Sequence, residues 1–104
     1  MAAATLFRAL GDPTRLEMVK RLSTGKSFTI SSVSSGLPIT RQGARKHLQI
    51  LADAKVVTLA PNGRDTLVEL DRTGLDEGKA FIINIERRWD SRLEALRKFV
   101  DNDL

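Results

Sequence analysis

The sequence predicts a mostly α-helical fold carrying one small β-hairpin, with a long extra helix toward the C-terminus. Three observations predict it. Apolar residues recur at helical spacing in short segments separated by Gly and Pro. Two β-patterned runs flank the turn-forming residues Pro61, Asn62 and Gly63. A single apolar stripe, from Ile82 to Val100, occupies most of the last quarter.

Leu6, Phe7, Ala9 and Leu10 predict a short first helix that ends at Gly11, a residue suited to a left-handed cap. Asp12 is an N-cap carboxylate, and Pro13 follows where its missing N–H costs nothing. The second helix is expected from Pro13 to about Ser23, burying Leu16, Val19 and Leu22, and Gly25 breaks it. A third helix is expected from about Ile30 to Ser35, although four serines disfavour it. Gly36 to Ile39 form a turn, and Thr40 caps a fourth helix that reaches about Ala52. Along it Ala44, Leu48 and Leu51 form one buried stripe.

The β-patterned runs are Val56–Leu59 and Thr66–Leu70, with residues 72–78 read as irregular. The last helix, about 79–100, places Ile82, Ile85, Trp89, Leu93, Leu96 and Val100 three and four residues apart. Helix, helix, helix–turn–helix, hairpin, long helix is the plan of a winged helix-turn-helix with an added C-terminal dimerisation helix. The chain is read as one domain over 1–104, with a head at about 12–71 and dimerisation elements at about 3–10 and 79–100.

Composition narrows the function. The 104 residues carry a net charge of +4, and all of the excess lies before residue 77, where eleven Lys/Arg face seven Asp/Glu. An anionic partner fits that distribution. No apolar run approaches the ~20 residues of a membrane-spanning helix. Without cysteine there is no disulfide, thiolate metal site or thiol sensor. A cytoplasmic protein that requires no cofactor is expected. His47 is the single histidine, no nucleophile is spaced to partner it, and Gly74 and Gly78 flank acidic residues rather than a phosphate loop. An enzyme is therefore not expected.

The functional signal lies in Thr40-Arg41-Gln42-Gly43-Ala44-Arg45-Lys46-His47, which holds three basic side chains, an amide and a hydroxyl, with no acid before Asp53. A helix N-terminus already attracts anions, so Arg41 there suits an external phosphate or base. Arginine pairs with guanine and glutamine with adenine in the major groove of double-stranded DNA. Arg41 and Gln42, in the first turn, are expected to read bases, and Thr40, Arg45 and Lys46 to hold phosphates. The same residues also fit an ordinary solvated helix face. At the hairpin Arg64 is the lone basic residue, followed by Asp65. It is expected to touch phosphate or the minor groove.

Asp12-Pro13-Thr14-Arg15, Pro38-Ile39-Thr40-Arg41-Gln42 and Lys46-His47-Leu48-Gln49-Ile50-Leu51 together resemble the ArsR family of bacterial regulators. Arg88-Trp89-Asp90-Ser91-Arg92-Leu93 resembles the final helix of its metal-independent branch. The resemblance covers nearly the whole chain. It implies a dimeric repressor on a palindromic operator, with Thr40, Arg41, Gln42, Arg45 and His47 facing DNA. The family's metal sites need cysteines in the third helix or histidines in the last, and this chain has neither. Gly43 stands where the family usually has alanine, and the wing is less basic than is common.

A helix of about 22 residues is longer than the head can cover, so its stripe predicts a homodimer. Leu6, Phe7 and Leu10 of the first helix would join Ile82, Ile85, Trp89, Leu93 and Leu96 at that interface. Two rival functions remain. A winged helix used only for protein interaction should show a more apolar face at residues 40–47. A repressor answering an organic effector should show a pocket motif, and none is recognisable; any small-molecule effector is unknown.

Overall fold

The computed structural model describes residues 2–103, with side chains for 3–102. Its elements, in order, are α1 (Ala2–Leu10), α2 (Pro13–Leu22), β1 (Phe28–Thr29), α3 (Ile30–Val33), α4 (Arg41–Asp53), β2 (Val57–Asn62), β3 (Asp65–Leu70) and α5 (Arg72–Asp103). The fold is mostly helical with a small antiparallel sheet, as expected, but the sheet has three strands in the order β1-β3-β2. β1 joins the hairpin through Phe28 opposite Val68 and Thr29 opposite Leu67. Two residues are too short a run to show an alternating pattern, which is why the sequence did not reveal it.

Local chemistry sets the helix ends. Asp12 caps α2 by accepting from the Arg15 backbone N–H at 3.0 Å, with Pro13 in the first turn. Gly11 is not left-handed, contrary to the sequence reading; the chain turns there through a Gly11 N–H to Arg8 carbonyl bond of 3.2 Å. α3 is shorter than expected. Thr29 and Ser32 form a reciprocal capping box at its start. At its end the Arg21 guanidinium bonds the carbonyls of Val33 (3.1 Å) and Ser35 (2.7 Å). α4 ends in a Schellman motif, with Val56 N–H bonded to the Leu51 carbonyl and Lys55 N–H to that of Ala52. Lys55 takes the left-handed position (φ 59°), and Leu51 and Val56 are both buried in the core.

The core gathers Met18 and Leu22 of α2, Ile30 and Val33 of α3, Ala44, Leu48 and Leu51 of α4, Val56 of the turn after it, and Val57 and Val68 of the sheet. Met18 belongs to it where the sequence reading had Leu16, which is 51% exposed. The buried stripe of α2 runs Met18–Leu22 at i, i+4, so Leu16 lies off it. β2 and β3 pair through to Asn62 opposite Asp65, leaving Gly63-Arg64 as a two-residue turn. Gly63 has φ 65° and Arg64 is not left-handed, the pattern of a II′ turn with glycine first. Pro61 and Asn62 are thus strand residues, and Pro61 is tolerated because β2 is an edge strand.

α5 begins at Arg72, so residues 72–78 are helical and not irregular. Its two glycines disguised a helix whose start requires close approach. Asp71 accepts from the Thr73 N–H at 3.0 Å, a bond that holds its carboxyl below the usual carboxylate value. Gly74 donates to the Lys55 carbonyl at 2.8 Å, and a Cβ there would collide with the Ala54 carbonyl and lie 2.9 Å from that of Lys55. A Cβ at Gly78 would collide with Leu6 of α1. With 32 residues α5 runs about 48 Å, and its free end stretches the molecule to 71 × 24 × 24 Å.

Replacing a helical glycine by alanine ordinarily stabilises by about 1 kcal/mol. At Gly74 the sign should reverse, because the methyl meets backbone that cannot yield cheaply. Urea denaturation of Gly74→Ala should show a loss of about 1–3 kcal/mol, the usual cost of overpacking. Equal or greater stability would show that α5 is not seated by this contact.

Candidate nucleic-acid interface

Burial of Ala44, Leu48 and Leu51 fixes the rotation of α4 about its axis. At 3.6 residues per turn, the remaining side chains sort into three stripes. Gln42, Lys46, Gln49 and Asp53 recur at i, i+4, i+7 and i+11 opposite the buried stripe. Arg41 and Arg45 flank them on the side of α3 and the hairpin. Gly43 and His47 flank them on the other side, where His47 meets α2.

The sequence reading paired Arg41 with Gln42 as base readers. The structure separates them: Arg41 shares a stripe with Arg45, and its guanidinium Nη2 reaches the Ser31 hydroxyl of α3 at 3.5 Å. The Thr40 hydroxyl is occupied as the N-cap acceptor for the Gly43 N–H at 2.9 Å, so the helix start is ordered by its own side chain. No acid interrupts the exposed face from Thr40 to Gln49. Asp53 is the first, and it accepts from Gln49 Nε2 at 2.9 Å, which orients that amide.

His47 is not freely presented to solvent. Its Nδ1 lies 3.0 Å from Arg15 Nη1 and 3.9 Å from Asp12 Oδ2. Arginine can only donate, so Nδ1 accepts and the N–H is left on Nε2. Arg15 also donates from Nε to the Ala9 carbonyl at 2.6 Å and from Nη2 to the Arg8 carbonyl at 3.4 Å. One guanidinium therefore closes the C-terminal carbonyls of α1, positions a ring on α4, and lies beside the N-cap of α2. The Asp12 carboxyl is held below its ordinary range by the Arg15 backbone N–H first, then by the charge of the Arg15 guanidinium. Arg15 links α1, α2 and α4, a connection that spacing alone missed, since its partner His47 is 32 positions away.

The residues expected at an intermolecular seam divide. Leu6 is buried (2% exposed) in this chain's own core beneath Gly78, which corrects its assignment to a contact with a second copy. Leu10 packs partly into the same core. Phe7 is 39% exposed and meets the Phe81 ring edge-on, with centroids 5.9 Å apart. Ile82, Ile85, Trp89, Leu93 and Leu96 are all exposed along the projecting part of α5. Trp89, the largest of them, is 57% exposed.

Among the described residues no three His, Cys, Asp or Glu side chains come together to hold a metal ion. Among the same residues, no helix is long and apolar enough to cross a membrane.

The chain is similar to known proteins over most of its length. The family profile described as helix-turn-helix domain matches residues 10–60, the span from the end of α1 into β2. The HTH-type transcriptional regulator Rv2034 of Mycobacterium tuberculosis is 30% identical over 97 residues, covering 93% of this chain and 87% of that protein. The transcriptional repressor SdpR of Bacillus subtilis is 26% identical over 88 residues, 85% of this chain and 97% of that one. The structure of an ArsR-like transcriptional regulator from Rhodococcus sp. RHA1 superposes with a TM-score of 0.79 at 30% identity, covering 94% and 92% of the two chains. The chain belongs to the ArsR family of helix-turn-helix transcriptional regulators.

Proposed function

We propose that the protein is a dimeric, non-enzymatic repressor that binds a palindromic DNA operator in the cytoplasm and does not sense metals. The observation that carries this reading is the run Gln42, Lys46, Gln49, free of acid up to Asp53, standing opposite the buried face of α4. It fits a helix laid in a major groove, with Gln42 near the end that enters and Lys46 behind it. The glutamine amides offer paired donor and acceptor atoms suited to adenine, whereas Lys46 is a point charge suited to phosphate. Thr40 contributes by fixing the helix start. His47, held by Arg15, contributes by orienting α4, with its Nε2–H directed away from that bond. Arg41, Arg45 and Arg64 supply positive charge at the hairpin side. Repression is the sign that SdpR carries in its name, and we extend it to this chain.

Dimerisation rests on α5. Val100 lies eighteen positions beyond Ile82, five turns at 3.6 residues each, so the stripe runs straight along the helix without the drift that drives supercoiling. A continuous exposed apolar stripe of this length marks an interface. The helix carries balanced charge after residue 76, six basic and six acidic, so two copies approach without net repulsion. A two-fold axis would then place two α4 helices on half-sites about one DNA turn apart. The lack of cysteine and the engagement of the one histidine with Arg15 support indifference to metals.

A duplex selected from a random-sequence pool provides the first test. Gln42→Ala should weaken it by about 5- to 100-fold and relax preference at one base per half-site, the effect of removing a bidentate hydrogen-bonded pair. Lys46→Ala should weaken selected and scrambled duplexes alike, and lower the salt slope by about one for each phosphate left without its lysine. If Gln42→Ala left the base preference intact, the outward stripe would not be the reading face. Addition of Zn²⁺, Cd²⁺ or arsenite should leave these isotherms unchanged, and metal-dependent release would contradict the metal-independent reading.

Sedimentation equilibrium tests the dimer. The wild-type chain should be dimeric in the micromolar range, and Leu93→Asp should be monomeric while its head keeps the wild-type pattern of amide chemical shifts. A monomeric wild type at roughly tens of micromolar, where a dissociation free energy near 6–7 kcal/mol would already hold two copies together, would overturn it.

A further inference from the structure

We propose that Arg41, Arg45 and Arg64 form one seat for a single DNA backbone phosphate, clamped between α4 and the hairpin turn. The inference rests on the DNA-binding reading and deepens it by assigning three residues to one atom group of the ligand. Two of the arginines come from the start of α4 and the third from the Gly63-Arg64 turn, yet all three line the same small recess, with Ser31 and Thr66 beside them. Three cationic residues lining one recess gain nothing from one another's charge, so the fold alone gives no reason for the arrangement. Asp65 also borders the recess, but among the described residues none of the three arginines has an ion pair within 4.0 Å.

The chemistry of the recess fits a phosphate better than a base. Arg41 is drawn toward α3 by Ser31, off the outward stripe that carries Gln42. The Ser31 hydroxyl accepts from Arg41 there, which leaves its own proton available to donate to an anion. Planar guanidinium forks pair bidentately with phosphate oxygens. The free N–H groups at the start of α4 add a favourable partial charge. A duplex whose bases meet Gln42 presents its flanking strand to the neighbouring stripe, which is the one bearing Arg41 and Arg45. The hairpin then closes over that strand through Arg64, and one phosphate links wing to recognition helix.

The test is a phosphate scan. Copies of the duplex selected from the random-sequence pool each carry one neutral methylphosphonate per half-site, and binding is measured for wild type, Arg41→Ala, Arg64→Ala and Lys46→Ala. One position should weaken the wild type by roughly 10-fold or more, the scale of a charge-assisted hydrogen bond. At that position Arg41→Ala and Arg64→Ala should respond by less than about twofold, whereas Lys46→Ala should remain sensitive. Separate phosphates for Arg41 and Arg64, or loss of base preference in Arg41→Ala, would overturn the shared seat while leaving DNA binding intact. Should no duplex be selected, the DNA-binding reading fails, and the seat is judged with inorganic phosphate alone. The side-chain Nε–H resonances of the three arginines should then shift together at millimolar phosphate, and the response of Arg41 should be lost in Arg64→Ala. No joint shift would overturn it.

Discussion

The rotation of α4, set by burial of Ala44, Leu48 and Leu51, is the constraint on which the rest of the interface depends. Truncating a buried leucine such as Leu48 costs about 2–5 kcal/mol, a large part of the stability of a small domain. No surface interaction on α4 approaches that, so the core decides which way the helix faces. Once it does, every other side chain on α4 has its place: Gln42, Lys46 and Gln49 outward, Arg41 and Arg45 toward the hairpin, His47 toward α2. The Thr40 cap and the Schellman turn at Lys55 fix the two ends of the same helix. Polar function is carried on a scaffold that apolar packing alone orients.

The head and the projecting helix are joined through α1. Leu6 lies under Gly78 of α5, and the carbonyls of Arg8 and Ala9 at the other end of α1 are bound by Arg15. Arg15 in turn holds His47 on α4. A short helix thus touches both the start of the apolar stripe and, through one guanidinium, the recognition helix. The Gly74 contact with the Ala54 and Lys55 carbonyls is a second join, at the C-terminal end of α4. These two joins place the α5 stripe and the α4 face in one packed body.

Much of this was legible in the residues. The 3–4 spacing of Ala44, Leu48 and Leu51 marked the buried face of α4, and Asp12-Pro13 and Thr40 marked the starts of two helices because capping chemistry is local. What escaped depended on distance or on register. The strand at Phe28–Thr29 exists only because Val68 and Leu67 lie opposite. Arg15 binds a histidine from another helix, and no spacing rule reaches that far. Residues 72–78 looked irregular because glycine disfavours helix, yet Gly74 and Gly78 are there so that α5 can touch the backbone of the α4–β2 turn and Leu6. Leu6 itself carried the right apolar signal, but periodicity does not say whether an apolar face meets its own chain or a second copy. Placing Arg41 beside Gln42 followed chain order, whereas side-chain direction on a helix follows rotation.

The most direct test of this account is an amide chemical-shift map of the isotopically labelled protein, titrated with a duplex selected from the random-sequence pool. The account predicts that the largest changes fall at residues 40–49 and at the hairpin around Gly63 and Arg64, with little change along the distal half of α5. Changes concentrated on α5, or on the α2 face beside Leu16, with residues 40–49 unmoved, would contradict it.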